Sequence, residues 1–170
     1  MSGPEPMPLP AVFRVELDPE LAVVSPVLAE ALRLWEALRG PRQMPARRDF
    51  DPAETPRALL PHILLIDVDA GEGAESRFRW RLIGTHVTTM LGRDMTGRWF
   101  DEIYDAGTLT SITTGPRWVL ANRRPVRTVG QAPVDERSYL RSENLHMPLS
   151  DDGRRVDKIL VATDLRSIRL

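Results

Sequence analysis

The sequence predicts an α+β fold, in which a five-stranded antiparallel sheet carries helices on one face and is preceded by an N-terminal amphipathic helix. Three observations support this prediction. Apolar residues recur at helical spacing near the start of the chain, two strand-like runs flank a glycine-rich turn at residues 70–74, and three more strand-like runs lie near the C-terminus. Short helical runs separate the two groups of strands, an order typical of α+β domains.

The predicted N-terminal helix begins after Ser25, whose hydroxyl suits an N-cap, and ends at Gly40. Between them Leu28, Leu32 and Trp35 recur on one face of the helix. An apolar stripe that contains a tryptophan must be covered by another surface. We expect either the core of the same chain or a second copy to cover it, and a homodimer interface would form at these three residues.

The predicted strands differ in how their apolar residues are spaced. Residues 63–68 are almost all apolar, which is typical of a strand buried on both faces. Residues 77–83 alternate strictly, which predicts that Phe78, Trp80 and Leu82 face the core while arginines face outwards. The remaining predicted elements are short helices at 86–91 and 97–104, a longer helix at 107–122 that is weakened at Gly115-Pro116, and strands at about 126–132, 138–149 and 156–163.

The composition excludes several kinds of chemistry. The chain contains no cysteine, which excludes disulfides, thiolate nucleophiles and zinc sites built on thiolates. Its net charge of −1 gives the whole molecule no attraction for nucleic acid or an anionic membrane surface. Residues 1–10 lack the features of a signal peptide, and no run approaches the ~20 apolar residues of a membrane span. We therefore expect a cytoplasmic protein without nucleic-acid or membrane partners.

The sequence divides into three segments, which are a proline-rich tail and arm at residues 1–24, the N-terminal helix and a connector at 25–54, and the core at 55–170. The stretch LRGPRQMPARRDFDP, within and around the connector, carries four arginines, three prolines and two aspartates. The prolines restrict it to extended and turn conformations, which favours a rigid clamp between helix and sheet. A site for an anionic ligand at Arg47 and Arg48 is the alternative.

Several motifs resemble those of a known family. In order, they are Trp35, Arg39-Gly40, Met44-Pro45-Ala46-Arg47, Asp49-Phe50-Asp51-Pro52, Leu60-Pro61-His62-Ile63, and the stretches 79–85, 91–97 and 147–153. Their order and spacing over about residues 28–165 resemble a family of PAS-like domains that is common in alphaproteobacteria. The resemblance implies a PAS fold at residues 55–170, used elsewhere to sense small molecules, light or redox state and to mediate dimerisation. It does not imply a particular ligand or cofactor.

A PAS fold encloses a cavity between its sheet and its short helices, and such cavities are mostly apolar with a few polar groups. The resemblance therefore implies a small-molecule pocket. We expect its lining to include Trp80, Leu82, His86, Met90, Trp99 and Trp118. Plain core packing of the same aromatic residues is the alternative.

The chain has three histidines, His62, His86 and His146. No two of them have the i, i+4 spacing of a metal site on a helix, so the sequence predicts no metal site. His86 opens the short helix after the second strand and is either a ligand contact or a hydrogen-bonded cap. His146 alternates with Leu145 and Met147, so we expect it to face away from them.

Catalytic signatures are absent from the sequence. It contains no Gly-x-Ser-x-Gly elbow, no Walker A loop and no His-Glu-x-x-His motif. The paired carboxylates Asp49/Asp51 and Asp151/Asp152 lie in turn-forming sequences that account for them. We therefore expect a protein that is not an enzyme.

Three functions remain open, and the third of them is a small enzyme that uses the cavity, which convergent ionisable residues there would favour. The first is a sensory or regulatory module that binds a small ligand in an apolar cavity and signals through an unknown protein partner or its own dimer. The second is a dimerisation or adaptor protein with a filled core and no ligand. A small molecule found in the cavity favours the first, and an interface at the Leu28, Leu32 and Trp35 stripe favours the second.

Overall fold

The computed structural model of the chain describes residues 14–70, 76–135 and 138–169. The predicted proline-rich tail at residues 1–10 lies outside the described residues, as do residues 71–74 of the predicted glycine-rich turn. The helices and strands are β1 (Arg14–Asp18), α1 (Pro26–Arg39), β2 (Ile63–Asp69), β3 (Arg77–Ile83), α2 (Thr85–Leu91), α3 (Phe100–Ile103), α4 (Ala106–Ile112), α5 (Thr114–Asn122), β4 (Val126–Asp135), β5 (Ser138–Leu149) and β6 (Lys158–Arg169).

The strands form one sheet in the order β1-β4-β5-β6-β2-β3, and all neighbouring pairs are antiparallel. The predicted α+β class is confirmed. The sheet has six strands rather than five because β1 adds to its edge, with Arg14 opposite Gln131 and Asp18 opposite Arg127. The predicted helix at residues 107–122 is divided into α4 and α5, which meet at Thr113.

The two faces of the sheet carry different residues because side chains alternate along each strand. On β5 the outer face carries Leu145 and Met147, both fully buried. The inner face carries Ser142, Asn144 and His146, which line a cavity. Helix α1 covers the outer face, whereas α2 to α5 lie over the inner face. Helices therefore occupy both sides of the sheet.

Helix α1 is fixed to the outer face by its cap and by its apolar stripe. The backbone amides of Val24 and Ser25 donate to the carboxylate of Glu143 at 3.0 and 2.7 Å. Leu28 and Trp35 are 0 % and 2 % exposed, and the indole of Trp35 donates to the carbonyl of Pro148 at 2.9 Å. The core of the same chain thus covers these two side chains.

This burial corrects the expected homodimer interface at Leu28, Leu32 and Trp35. Leu28 and Trp35 cannot contact a second copy while they are packed on their own sheet. Leu32 is half-buried and packs against the same core.

The connector acts as a clamp. Met44 and Phe50 are buried in the core, and the amide of Ser150 donates to the carbonyl of Pro45 at 2.9 Å. The Arg47 guanidinium donates to the carbonyl of Phe50 at 2.7 Å and lies 5.7 Å from the centre of its ring. The connector therefore joins the end of α1 to the turn that precedes β6.

Gly84 ends β3 at a point where two backbone segments touch. Its amide donates to the carbonyl of Ile63 at 2.8 Å. A Cβ atom on Gly84 would lie 2.1 Å from the carbonyl oxygen of Pro61 and 2.8 Å from that of Ile63. Backbone atoms cannot move aside as a flexible side chain can, so only glycine fits this position.

We predict that Gly84→Ala destabilises the fold strongly, by about 3 kcal/mol or more, because the added methyl group overlaps the backbone. The matched control is Gly107→Ala in α4, where the nearest atom to the new methyl group is the Asp105 carboxylate at 3.6 Å. This control should be neutral or slightly stabilising, since alanine favours a helix. Urea unfolding of both variants measures the difference, and equal stabilities would contradict the prediction.

Candidate functional site

A cavity of about 140 Å³ lies between the inner face of the sheet and the helices above it. Its apolar wall comes from both layers and includes Leu64, Ile66, Val87, Leu91, Val161 and Leu165. Its polar wall consists of Tyr104, Thr128, Ser142, Asn144, His146 and Thr163. No aspartate, glutamate, lysine or arginine is among the described residues that line it.

The polar residues of the inner face form one connected hydrogen-bond network across β4, β5 and β6. The Thr163 hydroxyl donates to the Asn144 side-chain carbonyl at 3.0 Å. The Asn144 amide nitrogen donates to the hydroxyls of Thr128 and Ser142, both at 3.2 Å. Thr128 Oγ1 in turn lies 3.1 Å from His146 Nε2. The network ends at this imidazole.

His146 is closely packed, but only one of its two ring nitrogens has a hydrogen-bond partner among the described residues. Helix α5 approaches it through Gly115, where a Cβ atom would lie 2.5 Å from Cδ2 and Nε2 of the ring. Nδ1 of His146 is buried and has no hydrogen-bond partner among the described residues. Burial lowers the pKa of His146 to about 4, so the imidazole is neutral at physiological pH. The cavity therefore has a neutral wall with one unpaired buried polar atom.

Tyr104 is the second polar group whose hydrogen bonds are incomplete. Its oxygen accepts a hydrogen bond from the Trp80 indole at 3.0 Å, and its ring meets Phe100 edge-on at 5.5 Å. No described residue accepts the proton of its hydroxyl. Burial raises the pKa of Tyr104 to about 12, so the hydroxyl stays protonated.

One of the six residues predicted to line a pocket, Trp80, lines this cavity. The other five, which are Leu82, His86, Met90, Trp99 and Trp118, do not line it. A different local feature explains each group of exceptions.

Leu82 is displaced by an irregularity in β3. Trp80 lies opposite Ile66, but Leu82 lies opposite Leu65, so Arg81 is an extra residue in this pair of strands. A one-residue bulge moves the following side chain to the other face of the sheet. Leu82 therefore faces away from the cavity although it alternates with Trp80 in the sequence.

The two tryptophans that were predicted to line the cavity but lie outside it pack against arginines. The guanidinium groups of Arg77 and Arg79 lie 4.3 and 5.1 Å from the ring of Trp99. The guanidinium of Arg124 lies 5.1 Å from the ring of Trp118. Both rings are thus engaged in cation–π contacts near the surface.

Helix α2 turns a different face to the cavity from the one expected. Val87 and Leu91 line the cavity. His86 and Met90 precede them by one position each, and Met90 is 39 % exposed. Neighbouring helix positions point about 100° apart, so these two side chains lie beside the cavity rather than in it.

His86 and His62 instead close an edge of β6. β2 begins at Ile63, opposite Ala162, so the later residues of β6 have no described strand beside them on that side. The Leu165 amide donates to His86 Nε2 at 3.0 Å, and His62 Nδ1 lies 2.9 Å from the carbonyl oxygen of Thr163. We call this pair of histidines the histidine clasp. It satisfies backbone groups that a neighbouring strand would otherwise bind.

The clasp also brings metal-binding atoms together. Ligand atoms of His62, His86 and Asp164 lie within 4.8 Å of one another, and the two imidazole rings stack at 4.1 Å. Burial and the neighbouring His62 lower the pKa of His86, while Asp164 opposes this shift. A metal ion bound through Nε2 of His86 would displace its hydrogen bond to the Leu165 amide. The observed hydrogen bonds therefore favour strand closure.

Sequence reasoning missed most of the polar wall. It placed His146 on the face opposite Leu145 and Met147, where the structure has it. The same alternation also places Ser142 and Asn144 beside it on β5. Alternate positions 142, 144 and 146 of β5 are thus all polar, and this row could have been recognised in the sequence.

Comparison with known proteins identifies the family. Among the described residues, no helix is both long and apolar enough to cross a membrane. No curated protein and no solved structure matches the chain significantly. The sequence model of the PAS domain matches residues 23–163, which include α1, the connector, β2 to β5 and the first part of β6. PAS domains are typically sensory or regulatory rather than catalytic. The chain belongs to the PAS domain family.

Proposed function

We propose that the chain is a cytoplasmic sensory module that binds a small neutral molecule in the cavity and signals through a protein partner or a second copy of itself. The observation that supports this proposal is the cavity itself. Protein cores are normally packed to the density of organic crystals, so a space of about 140 Å³ between two layers is unlike a filled core. Its mixed apolar and polar lining is that of a ligand site.

The chemistry of the lining favours binding over catalysis. A general base works best with a pKa near the operating pH, and the pKa of His146 is lowered to about 4 by burial. Thr128 lies beside His146, but no described residue contacts Nδ1 to orient the ring as a third catalytic group would. The site therefore lacks an activated nucleophile and we propose no enzymatic activity.

We propose that helix α2 and strand β6 report whether the cavity is occupied. Val87 and Leu91 of α2 and Leu165 of β6 all line the cavity. The amide of the same Leu165 donates to His86, which lies in the first turn of α2. A molecule that contacts Val87 or Leu165 in the cavity therefore acts on α2 and β6, which the hydrogen bond between His86 and Leu165 joins.

The first test is a thermal-shift screen with small neutral compounds. A ligand at 100 times its dissociation constant should stabilise the fold by about 2.7 kcal/mol. Val87→Phe fills the cavity from α2 and should abolish the response. Val24→Phe is the matched control, since Val24 is 74 % exposed and lies on the opposite face of the sheet. If compounds stabilise both variants equally, the cavity is not the binding site.

The second test follows the proposed reporter. Amide hydrogen exchange at Leu165 measures how often its hydrogen bond to His86 opens. A compound that binds the cavity should change the protection of this amide more than that of Leu145, which is buried on the outer face. An unchanged Leu165 amide in a saturated sample would contradict a readout through α2 and β6.

Stability should also depend on pH through His146. The pKa of His146 is about 4 in the folded protein and 6.5 as a reference value, so the unfolded chain binds the proton more strongly. The stabilisation is complete above about pH 6.5 and is lost as the pH falls towards 4. We expect the free energy of unfolding to fall by about 3 kcal/mol between about pH 7 and pH 4 from this group.

Urea unfolding of the wild type and of His146→Gln at both pH values measures this effect. Carboxylates also titrate near pH 4, but they are common to both proteins. The difference between the two pH responses therefore isolates the histidine. Equal responses would show that His146 is not buried in its neutral form.

A further inference from the structure

We infer that the cavity binds a compact neutral molecule with a carbonyl-type acceptor oxygen, held by Nδ1–H of His146 and by the hydroxyl of Tyr104. This inference rests on the proposed ligand-binding function and adds the chemical class of the ligand. It follows from three features of the lining, which are the proton on His146, the free proton of Tyr104, and the charge and volume of the cavity.

The hydrogen-bond network favours one nitrogen of His146 as the site of the proton. Thr128 Oγ1 already accepts a hydrogen bond from the Asn144 amide at 3.2 Å. Among the described residues, the available acceptor for the proton of the Thr128 hydroxyl is Nε2 of His146, 3.1 Å away. Nε2 then accepts, and in a neutral imidazole the proton must be on Nδ1. The buried atom without a partner is therefore an N–H donor.

Tyr104 supplies a second donor. The Trp80 indole nitrogen can only donate, so the Tyr104 oxygen accepts in their 3.0 Å hydrogen bond. The hydroxyl proton of Tyr104 remains available to the cavity, which this residue lines. Both incomplete groups are thus donors, and a buried donor without a hydrogen-bond partner is destabilising. A ligand that offers acceptor oxygens removes this cost.

The uncharged lining and the volume of the cavity limit the charge and the size of the ligand. No charged side chain is among the described lining residues, so a buried ion would have no partner and its desolvation would not be offset. The volume of about 140 Å³ is close to the roughly 150 Å³ of an engineered apolar cavity that binds benzene. The ligand is therefore neutral and about the size of one six-membered ring.

A matched series of probes on one ring tests the ligand class. The probes are cyclohexanone, methylcyclohexane, cyclohexanecarboxylate and cyclohexylammonium, and two-dimensional NMR titration of the full chain gives their dissociation constants. Cyclohexanone should bind about tenfold or more tightly than methylcyclohexane, because one or two hydrogen bonds distinguish them. Both ions should bind more weakly than either neutral probe.

Paired variants locate the two donors. His146→Gln keeps a polar group in reach of Thr128 but removes the donor at the Nδ1 position, whereas His146→Asn keeps a donor there. The preference for cyclohexanone should fall in the first and persist in the second. Tyr104→Phe should reduce the preference about tenfold. Urea unfolding confirms that each variant is folded, and nitrogen NMR of wild-type His146 should show the proton on Nδ1 without any ligand.

The outcomes separate this inference from the proposed function. Equal binding of cyclohexanone and methylcyclohexane, tighter binding of an ion, or a proton on Nε2 would overturn the acceptor class while leaving a ligand-binding cavity. If none of the probes shifts signals from cavity residues at millimolar concentration, the ligand-binding function is overturned together with the inference. A cyclohexanone preference that His146→Gln and Tyr104→Phe both weaken supports it.

Discussion

The pairing of β5 with β6 is the constraint on which the rest of the structure depends. The two strands pair along their whole length, from Ser138 opposite Arg169 to Leu149 opposite Lys158. This register gives the sheet two unlike faces. Leu145, Met147, Leu160 and Ala162 are fully buried on the outer face, where α1 seals them. The inner face of the same two strands carries the polar network, whose groups bond to one another and leave Nδ1 of His146 as the one network atom without a partner among the described residues.

Close packing on the inner face then depends on one glycine. Gly115 lets α5 rest on the ring of His146, and any larger residue would push against Cδ2 and Nε2. This contact keeps the imidazole against Thr128 and away from water, which is why the pKa of His146 is so low. The helices can approach this end of the sheet closely, while the part under Val87 and Leu91 stays open. The cavity is therefore a consequence of where the helices touch the sheet.

The sequence was sufficient for the elements and for the faces of most strands, because hydrophobic periodicity and turn residues are local signals. It predicted the limits of α1 from Ser25 and Gly40, and the structure has the helix between them. It could not predict the bulge that turns Leu82 away from Trp80, since the extra residue is defined only by pairing with β2. Nor could it tell whether a tryptophan is fully buried, as Trp35 is, or half-buried under arginines, as Trp99 is, because both suit an amphipathic pattern. Local patterns specify a face, and tertiary contacts specify what lies on it.

The histidine clasp and the cavity are two parts of one arrangement because they share Leu165. Its side chain lines the cavity and its amide is bound by His86. Nε2 of His86 can accept that hydrogen bond only when it carries no proton, and burial with the neighbouring His62 lowers its pKa, against the opposing effect of Asp164. Asp164 is itself paired with Arg166 at 3.4 Å, which weakens its pull on the imidazole. His86 on the edge of β6 and His146 inside the cavity thus both act as neutral imidazoles. Desolvation lowers the pKa of both imidazoles. It thereby keeps the cavity uncharged at His146 and preserves the hydrogen bond between His86 of α2 and Leu165 of β6.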